Sequence, residues 1–319
     1  MRKNTRSKRS APRMEHVVAV DIGGTNLRVA LADSGGKILA KWSASTKSTS
    51  SPKAVVQLIR NGVGLLLTEV GTSSQSLRAV AAGAPGVTDR EAGIVLATSY
   101  LKGWKNAPLA ALLQSALHIP AVVENDVRLA AIGESWLGAA RGVQNFVFLA
   151  IGTGIAAGIF VDGQLLQGPK WIAGEVGYLI VPGTPELPVG PGSPGSLESV
   201  IGGEGIRQHW QRICGNGQRA LAATEVFGQA MNGNHLAKDV LEQSARILAY
   251  AIHNISTVLN SSLFVLGGGV GINKALLTAT RHILQPYTRP SRPKLISSAL
   301  GADAQLIGAV RLALDIAES

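Results

Sequence analysis

Carboxylates that follow apolar runs, together with two glycine turns, are the parts of this chain with chemistry to offer. Glu124-Asn125-Asp126 follows the run Ile119–Val123 and precedes a helical pattern, the position at which α/β sheets present ligands. Asp126 reads either as a first-turn acid favoured by the helix dipole or as a carboxylate that takes a proton from a hydroxyl attacking phosphorus. In the second reading Asn125 fixes a neighbouring hydroxyl through both of its amide functions. Glu175 and Glu198 each lie in glycine-containing sequence, and several carboxylates around one pocket suit a polyol better than an apolar ligand. Near the start, Asp21-Ile22-Gly23-Gly24-Thr25-Asn26 separates the apolar runs His16–Val20 and Leu27–Ala32, and Gly152-Thr153-Gly154 interrupts Phe146–Val161 in the same way. Each turn is compatible with an ordinary hairpin. As a pair, one in each half, they suit successive phosphates of one nucleotide held against backbone N–H groups. Gly267-Gly268-Gly269 follows the strand-like Leu263–Leu266 and reads either as a tight strand-to-helix turn or as bare backbone against which a purine and ribose can lie. The lysine phosphate loop GxxxxGK[ST] is absent, and no acid follows at the distance a dinucleotide site requires.

The elements that must position these residues follow from the patterning. Strands near 16–21, 27–32 and 36–41 form an antiparallel meander, and a helix spans 52–70 with Ser51 as cap and Pro52 at its first position. A strand at 77–84, a loop at 84–86, a helix at 107–117 and a strand at 119–123 complete the first half. The pattern then restarts: helix 125–140, strands 145–151 and 154–161, a proline- and glycine-rich loop at 182–195, and helices near 203–213, 221–231 and 236–260. Strand 263–266, helix 273–284, strand 294–297 and helix 302–317 end the chain. The expectation is an α/β protein of two mixed domains with a ligand cleft between them. Residues 16–124 with the C-terminal helix (302–319) form a small domain, and residues 125–301 a large one.

Composition limits the function classes. The 319 residues are 46% hydrophobic and 16% charged, which excludes a disordered chain and exceeds one core's usual size. A single cysteine, Cys214, excludes an intramolecular disulfide and points to a reducing, cytoplasmic setting. The net charge of +10 owes six charges to Arg2, Lys3, Arg6, Lys8, Arg9 and Arg13, so residues 1–15 read as a basic disordered tail or a weak tether to nucleic acid or a membrane surface, and the body carries little nucleic-acid signal. The uncharged stretch 146–161 is too short for a transmembrane helix.

From about Val17 to Ala317 the sequence resembles the ROK family of sugar kinases and sugar-responsive repressors, within the actin-like, ribonuclease-H-like nucleotide-binding fold. DIGGTNLRVALAD (21–33) and AIGTGIAAGIFVDG (150–163) resemble its two phosphate loops. GAPGV (83–87) with GW (103–104) resembles its sugar-side loops, ENDVRLAAIGE (124–134) its catalytic segment and VLGGGV (265–270) its adenosine motif. The resemblance implies ATP-dependent phosphorylation of a hexose 6-hydroxyl, with glucose the first candidate and fructose, mannose or an N-acetylated hexosamine as alternatives. It implies Asp126 as general base, and Gly86, Asn125, Glu175, Tyr178 and Glu198 around the sugar. The nucleotide phosphates fall to Gly23, Gly24, Thr25, Asn26, Arg28, Gly152, Thr153 and Gly154, and the adenosine to Gly267, Gly268 and Gly269. Asp21 would stand near Mg2+, mostly through water. A homodimer is implied as well. A non-catalytic sugar sensor is the competing reading; only about 15 residues precede the first strand, against the winged-helix domain of the usual repressor.

Two departures stand out. Family members hold a structural zinc through a histidine in ExGH and three cysteines in CxCGxxGCxE. Aligned on Glu175 and Glu198, those positions are Tyr178, Val189, Pro191 and Ser196, which cannot supply soft ligands. No zinc is expected, and Pro182, Pro185, Pro188, Pro191 and Pro194 stiffen the loop instead. Tyr178 offers its hydroxyl where the histidine is lost. Tyr100 replaces the asparagine common in an NLxGW-like stretch, with consequences for the choice of hexose.

Overall fold

The apolar runs on either side of Asp21–Asn26 pair as an antiparallel hairpin, β1 (His16–Ile22) with β2 (Asn26–Asp33), and β3 (Ile38–Ser45) continues the meander. This computed structural model describes residues 15–47, 51–99, 101–187, 194–215, 219–287 and 292–318. The expectations for residues 1–14, Tyr100, Pro188, Val189 and Pro191 lie outside the described residues. Helix α1 (Pro52–Val70) begins as the sequence predicts, with Ser51 accepting from Ala54 N–H and proline in the first turn. Strand β4 (Leu77–Ala84) runs parallel to β1. A small hairpin of β5 (Val87–Asp89) and β6 (Ile94–Ala97) follows, then α2 (Leu109–Leu117) and β7 (Ala121–Asn125), parallel to β4. The first sheet has the order β3-β2-β1-β4-β7.

Helix α3 (Asp126–Trp136) leaves β7 without a loop, and the second half then repeats the scheme. Strands β8 (Phe146–Ile151), β9 (Ile155–Val161) and β10 (Gln164–Leu165) form the meander. Four helices follow, α4 (Glu198–Ile201), α5 (Gly203–Cys214), α6 (Ala223–Met231) and α7 (His235–Leu259). Strand β11 (Leu263–Gly267) and β12 (Lys294–Ser297) add parallel to β8, separated by the single turn α8 (Gly268–Gly271) and by α9 (Lys274–Leu284). The order is β10-β9-β8-β11-β12, the same arrangement as the first sheet. Helix α10 (Ala304–Ala317) ends the fold.

Both sheets are covered on both faces, which is why their central strands read as unbroken apolar runs. In β1, Val18 and Val20 pack with Ile59 and Leu66 of α1, whereas Val17 and Ala19 pack with Val310 and Ala313 of α10. In β8, Val147 and Leu149 join the core under α7, whereas Phe146 and Phe148 join Ala130 and Ala131 of α3. Helix α3 therefore starts at the first sheet and packs on the second, so a group on its first turn sits between the two halves. No helix among the described residues is long and apolar enough to cross a membrane.

Candidate active site

The polar tripeptide at the end of β7 is held by the main-chain ladder rather than by its own side-chain preference: Gly83 pairs with Glu124 and Ala84 with Asn125. Asn125 then caps α3. Its Oδ1 accepts from Val127 and Arg128 N–H, each at 3.0 Å, and its Nδ2 donates to the Gly86 carbonyl at 2.9 Å. Both amide functions are thus engaged within the protein, and the second N–H of Nδ2 is what remains for a ligand hydroxyl. The expected grip through both functions is corrected to that single donor. Gly86 is fixed for a steric reason as well, since φ is +96° and a Cβ there would run into the Ala97 carbonyl oxygen.

Asp126 opens α3 beside this cap, and its Oδ1 accepts from Val127 N–H at 2.9 Å. Burial, followed by the charges of Asp21 and Glu175, pushes its carboxyl up to about 7. Asp21 is buried and its carboxyl is raised by desolvation, against the pull of Arg28, whose Nη2 and Nε lie 2.6 and 2.9 Å from Oδ2. The same guanidinium also reaches the Ala302 carbonyl, so Arg28 ties β2 to the start of the C-terminal helix. Asp21 keeps Oδ1 outside this ion pair. A hard carboxylate beside a second one fits Mg2+, which keeps most of its waters and takes one or two protein carboxylates plus substrate phosphates. Among the described residues no group of three or more His, Cys, Asp or Glu side chains is arranged to hold a metal.

A cavity of about 550 Å³ opens between the halves. It brings together Gly86, Thr153, Gly154, Glu175, Tyr178 and Glu198. Glu198, the first residue of α4, accepts from Ile155 N–H at 3.1 Å, which pins this carboxylate to the second glycine turn. That turn closes on itself through Gly152 N–H to the Gly154 carbonyl at 2.9 Å, and is backed by α5 through Gly203 N–H to the Gly152 carbonyl at 2.8 Å. Thr153 is left exposed at its tip. Burial raises Glu175, with Arg128 opposing and Glu198 adding to the shift. Burial and then the charges of Glu175 and Glu198 raise the Tyr178 phenol, which keeps its O–H as a donor beside two acceptors. Asp21, Gly23, Gly24, Thr25, Asn26, Arg28, Asn125, Asp126 and Gly152 do not line this cavity, and neither do Gly267, Gly268 and Gly269. Of the last three, Gly267 and Gly268 are required by packing, against the Phe148 ring and the Ile151 carbonyl, and only Gly269 faces open space.

Sequence reasoning missed a buried charge cluster behind the site. Glu124 is fully buried, accepts from Asn125 N–H at 2.8 Å, and has Arg128 at 3.4 Å and Arg90 at 3.8 Å. An acid and an arginine four residues apart across a helix start was the available signal. Glu204 and Gln208 of α5 also line the cavity and were not singled out.

Two like sheets with a glycine turn and convergent carboxylates in the cleft between them match an α/β phosphotransferase of the actin- and hexokinase-like class. The sequence profile of the ROK family matches residues 17–316, and the chain belongs to that family. It is 30% identical to a glucokinase of Halalkalibacterium halodurans over 91% of this chain and 92% of that protein. It is 29% identical to an N-acetylmannosamine kinase of Citrobacter koseri over 93% and 98% of the two chains. The structure superposes on a ROK family glucokinase from Streptomyces griseus in complex with glucose and AMPPNP with a TM-score of 0.77 and 26% identity, covering 94% and 99% of the chains. The chain is an ATP-dependent sugar phosphotransferase of this family.

Proposed function

We propose that the protein transfers the γ-phosphoryl group of ATP to the 6-hydroxyl of a hexose, glucose first. The observation that carries this reading is Asp126, a carboxyl held near 7 at the N-terminus of α3, between the halves and close enough to Glu175 of the cavity to feel its charge. A base poised near neutral pH takes a proton most effectively from an attacking hydroxyl. In this reading Glu175, Glu198, the Tyr178 hydroxyl and the free N–H of Asn125 hold ring hydroxyls, and Gly86 sets the loop beneath them. Gly23 to Asn26, with Arg28 behind them, and Gly152 to Gly154 take the phosphates, and Gly267 to Gly269 the adenosine. Asp21 would hold Mg2+, mostly through water, and the ion would supply charge neutralisation on the phosphate oxygens. The lobes, 16–124 with 302–319 and 125–301, close to exclude water. The active unit is a homodimer, checked by light scattering on the eluting protein.

A coupled assay of ATP consumption across glucose, mannose, fructose, allose, glucosamine, N-acetylglucosamine and N-acetylmannosamine tests the assignment. The expected result is the highest kcat/KM with glucose. The likeness to N-acetylmannosamine kinases supports a second reading, which prevails if the N-acetylated sugar gives the highest value. Sugar and nucleotide binding without turnover on any of the seven would sink the kinase assignment in favour of a sensor.

A further inference from the structure

Arg128 stands two residues after Asp126 in the first turn of α3 and is 3% exposed. Its Nη2 donates to three main-chain carbonyls, Gln167 at 3.3 Å, Trp171 at 2.8 Å and Ala173 at 3.1 Å, while Nη1 faces Glu124. Those carbonyls belong to the segment between β10 and the turn at Val176–Tyr178, which runs directly into Glu175. Within the segment the main-chain bonds are turn bonds, its end at Gly174 accepts from Ala157 N–H of β9 at 2.8 Å, and between these Trp171 has φ +59°, a left-handed conformation that a bulky side chain adopts rarely. An outside tether holds it. A planar guanidinium that stays charged when buried satisfies several fixed acceptors at once, which a lysine cannot do.

We infer that Arg128 is a positioning residue that registers Glu175 against Asp126, so that one helical turn sets the distance between the base and a carboxylate holding the sugar. It touches no substrate. The inference rests on the hexose-kinase reading. The charged or titratable groups facing Glu175 are Arg128, Glu198, Asp126 and Tyr178, so Arg128 supplies the cation among them. Loss of that cation favours the protonated form of Glu175.

The test uses Arg128→Gln and Arg128→Lys in the full chain, with hexose KM, ATP KM and kcat followed against pH, and amide exchange of 167–175 followed without ligand. Arg128→Gln is expected to raise hexose KM by about tenfold or more, as misplacement of a positioned group does. ATP KM should stay within about twofold, and the acid limb of hexose KM, which Glu175 governs apart from the Asp126 limb of turnover, should move to higher pH. Arg128→Lys is expected to keep the limb and still raise hexose KM, because one ammonium cannot span the three carbonyls and Glu124. Both variants should exchange faster at 167–175 and unchanged in α7. Wild-type hexose KM with an unmoved limb, or an equal rise in the KM of hexose and ATP, overturns the inference. Should Arg128→Gln not fold, Arg128→Lys carries the comparison. If the wild-type chain phosphorylates no hexose, the functional reading fails separately, and unchanged exchange at 167–175 then overturns the tether itself.

Discussion

Asp126 carries the sharpest consequences at the scale of one residue, because one environment sets both its reactivity and its cost. With its carboxyl near 7, kcat/KM is expected to rise with pH up to about 7 and level above it, since the base must be ionised to accept the proton. Asp126→Asn should lower kcat by about 10²- to 10⁴-fold with sugar and nucleotide affinities little changed, read from initial rates and ligand titrations. Near-normal turnover in a folded variant would remove Asp126 from the mechanism. The stability effect has the opposite sign. Between its ordinary value of 3.8 and about 7 the folded protein holds a proton that the unfolded chain releases, so stability falls as pH rises through that window. The penalty reaches on the order of 4 kcal/mol above pH 7. Asp126→Asn is therefore expected to unfold at higher denaturant than wild type at pH 8 and at a similar concentration at pH 4. An equal gain at both pH values would mean that ionisation is not its source.

Among the elements, the β5–β6 hairpin and the segment 178–198 divide what was legible from what was not. Strands β1, β2, β4, β8 and β9 stood out because both faces are buried and the runs are apolar. Strand β7 runs two residues past the expected end at Val123, because Glu124 and Asn125 look like loop until β4 is there to pair with them. The hairpin carries no sequence signal: Val87–Asp89 and Ile94–Ala97 are too short for a period, and the contact of half-buried Arg90 with buried Glu124 at the turn spans distant sequence. Helix α3 ends at Trp136, short of the expected 140, because Glu134 turns its carboxylate on the N–H groups of Ala139 and Leu300. Of the site, the paired turns and acids were legible as residue types, whereas Arg128 acts on main-chain carbonyls that no side-chain pattern announces. Gly86→Ala tests the hairpin's role. A Cβ at φ +96°, against the Ala97 carbonyl, should cost about 1–3 kcal/mol in denaturant unfolding and raise hexose KM more than ATP KM. Unchanged stability and KM would detach the loop from the sugar. For the segment 178–198, metal analysis of protein purified without chelators is expected to find no stoichiometric zinc. Tyr178 lines the cleft, and Ser196 is buried with its hydroxyl toward Leu187 N–H. One zinc per chain would overturn that expectation.

In the whole molecule, the two sheets are joined where α3 crosses α10. The helices meet on glycine: a Cβ on Gly133 would strike the Ala304 carbonyl, and one on Gly308 the Leu129 carbonyl. Backbone touching backbone brings the axes closer than side chains would allow, and around that contact Leu129 of α3 packs with Leu306 and Val310 of α10 while the Arg311 guanidinium lies over the Trp136 ring. Helix α10 lies on β1 and β4 through Val310 and Ala313, whereas α3 packs on the second sheet through Ala130 and Ala131. Any closure of the cleft must pass through this crossing or bend around it, and Asp126 and Arg128 ride on the first turn of one of its helices. Gly308→Ala therefore reaches further than its size suggests. Because the obstructing atom is main chain, the helices must separate, and the expected cost is about 1–3 kcal/mol or more. A lower urea midpoint with an unchanged slope would register it. The same separation shifts Asp126 relative to the first sheet, so kcat should fall in the protein that remains folded, while the isolated nucleotide affinity changes little. A variant with wild-type midpoint and turnover would show that the crossing is looser than the backbone contacts require, and would take the hinge away from this pair of helices.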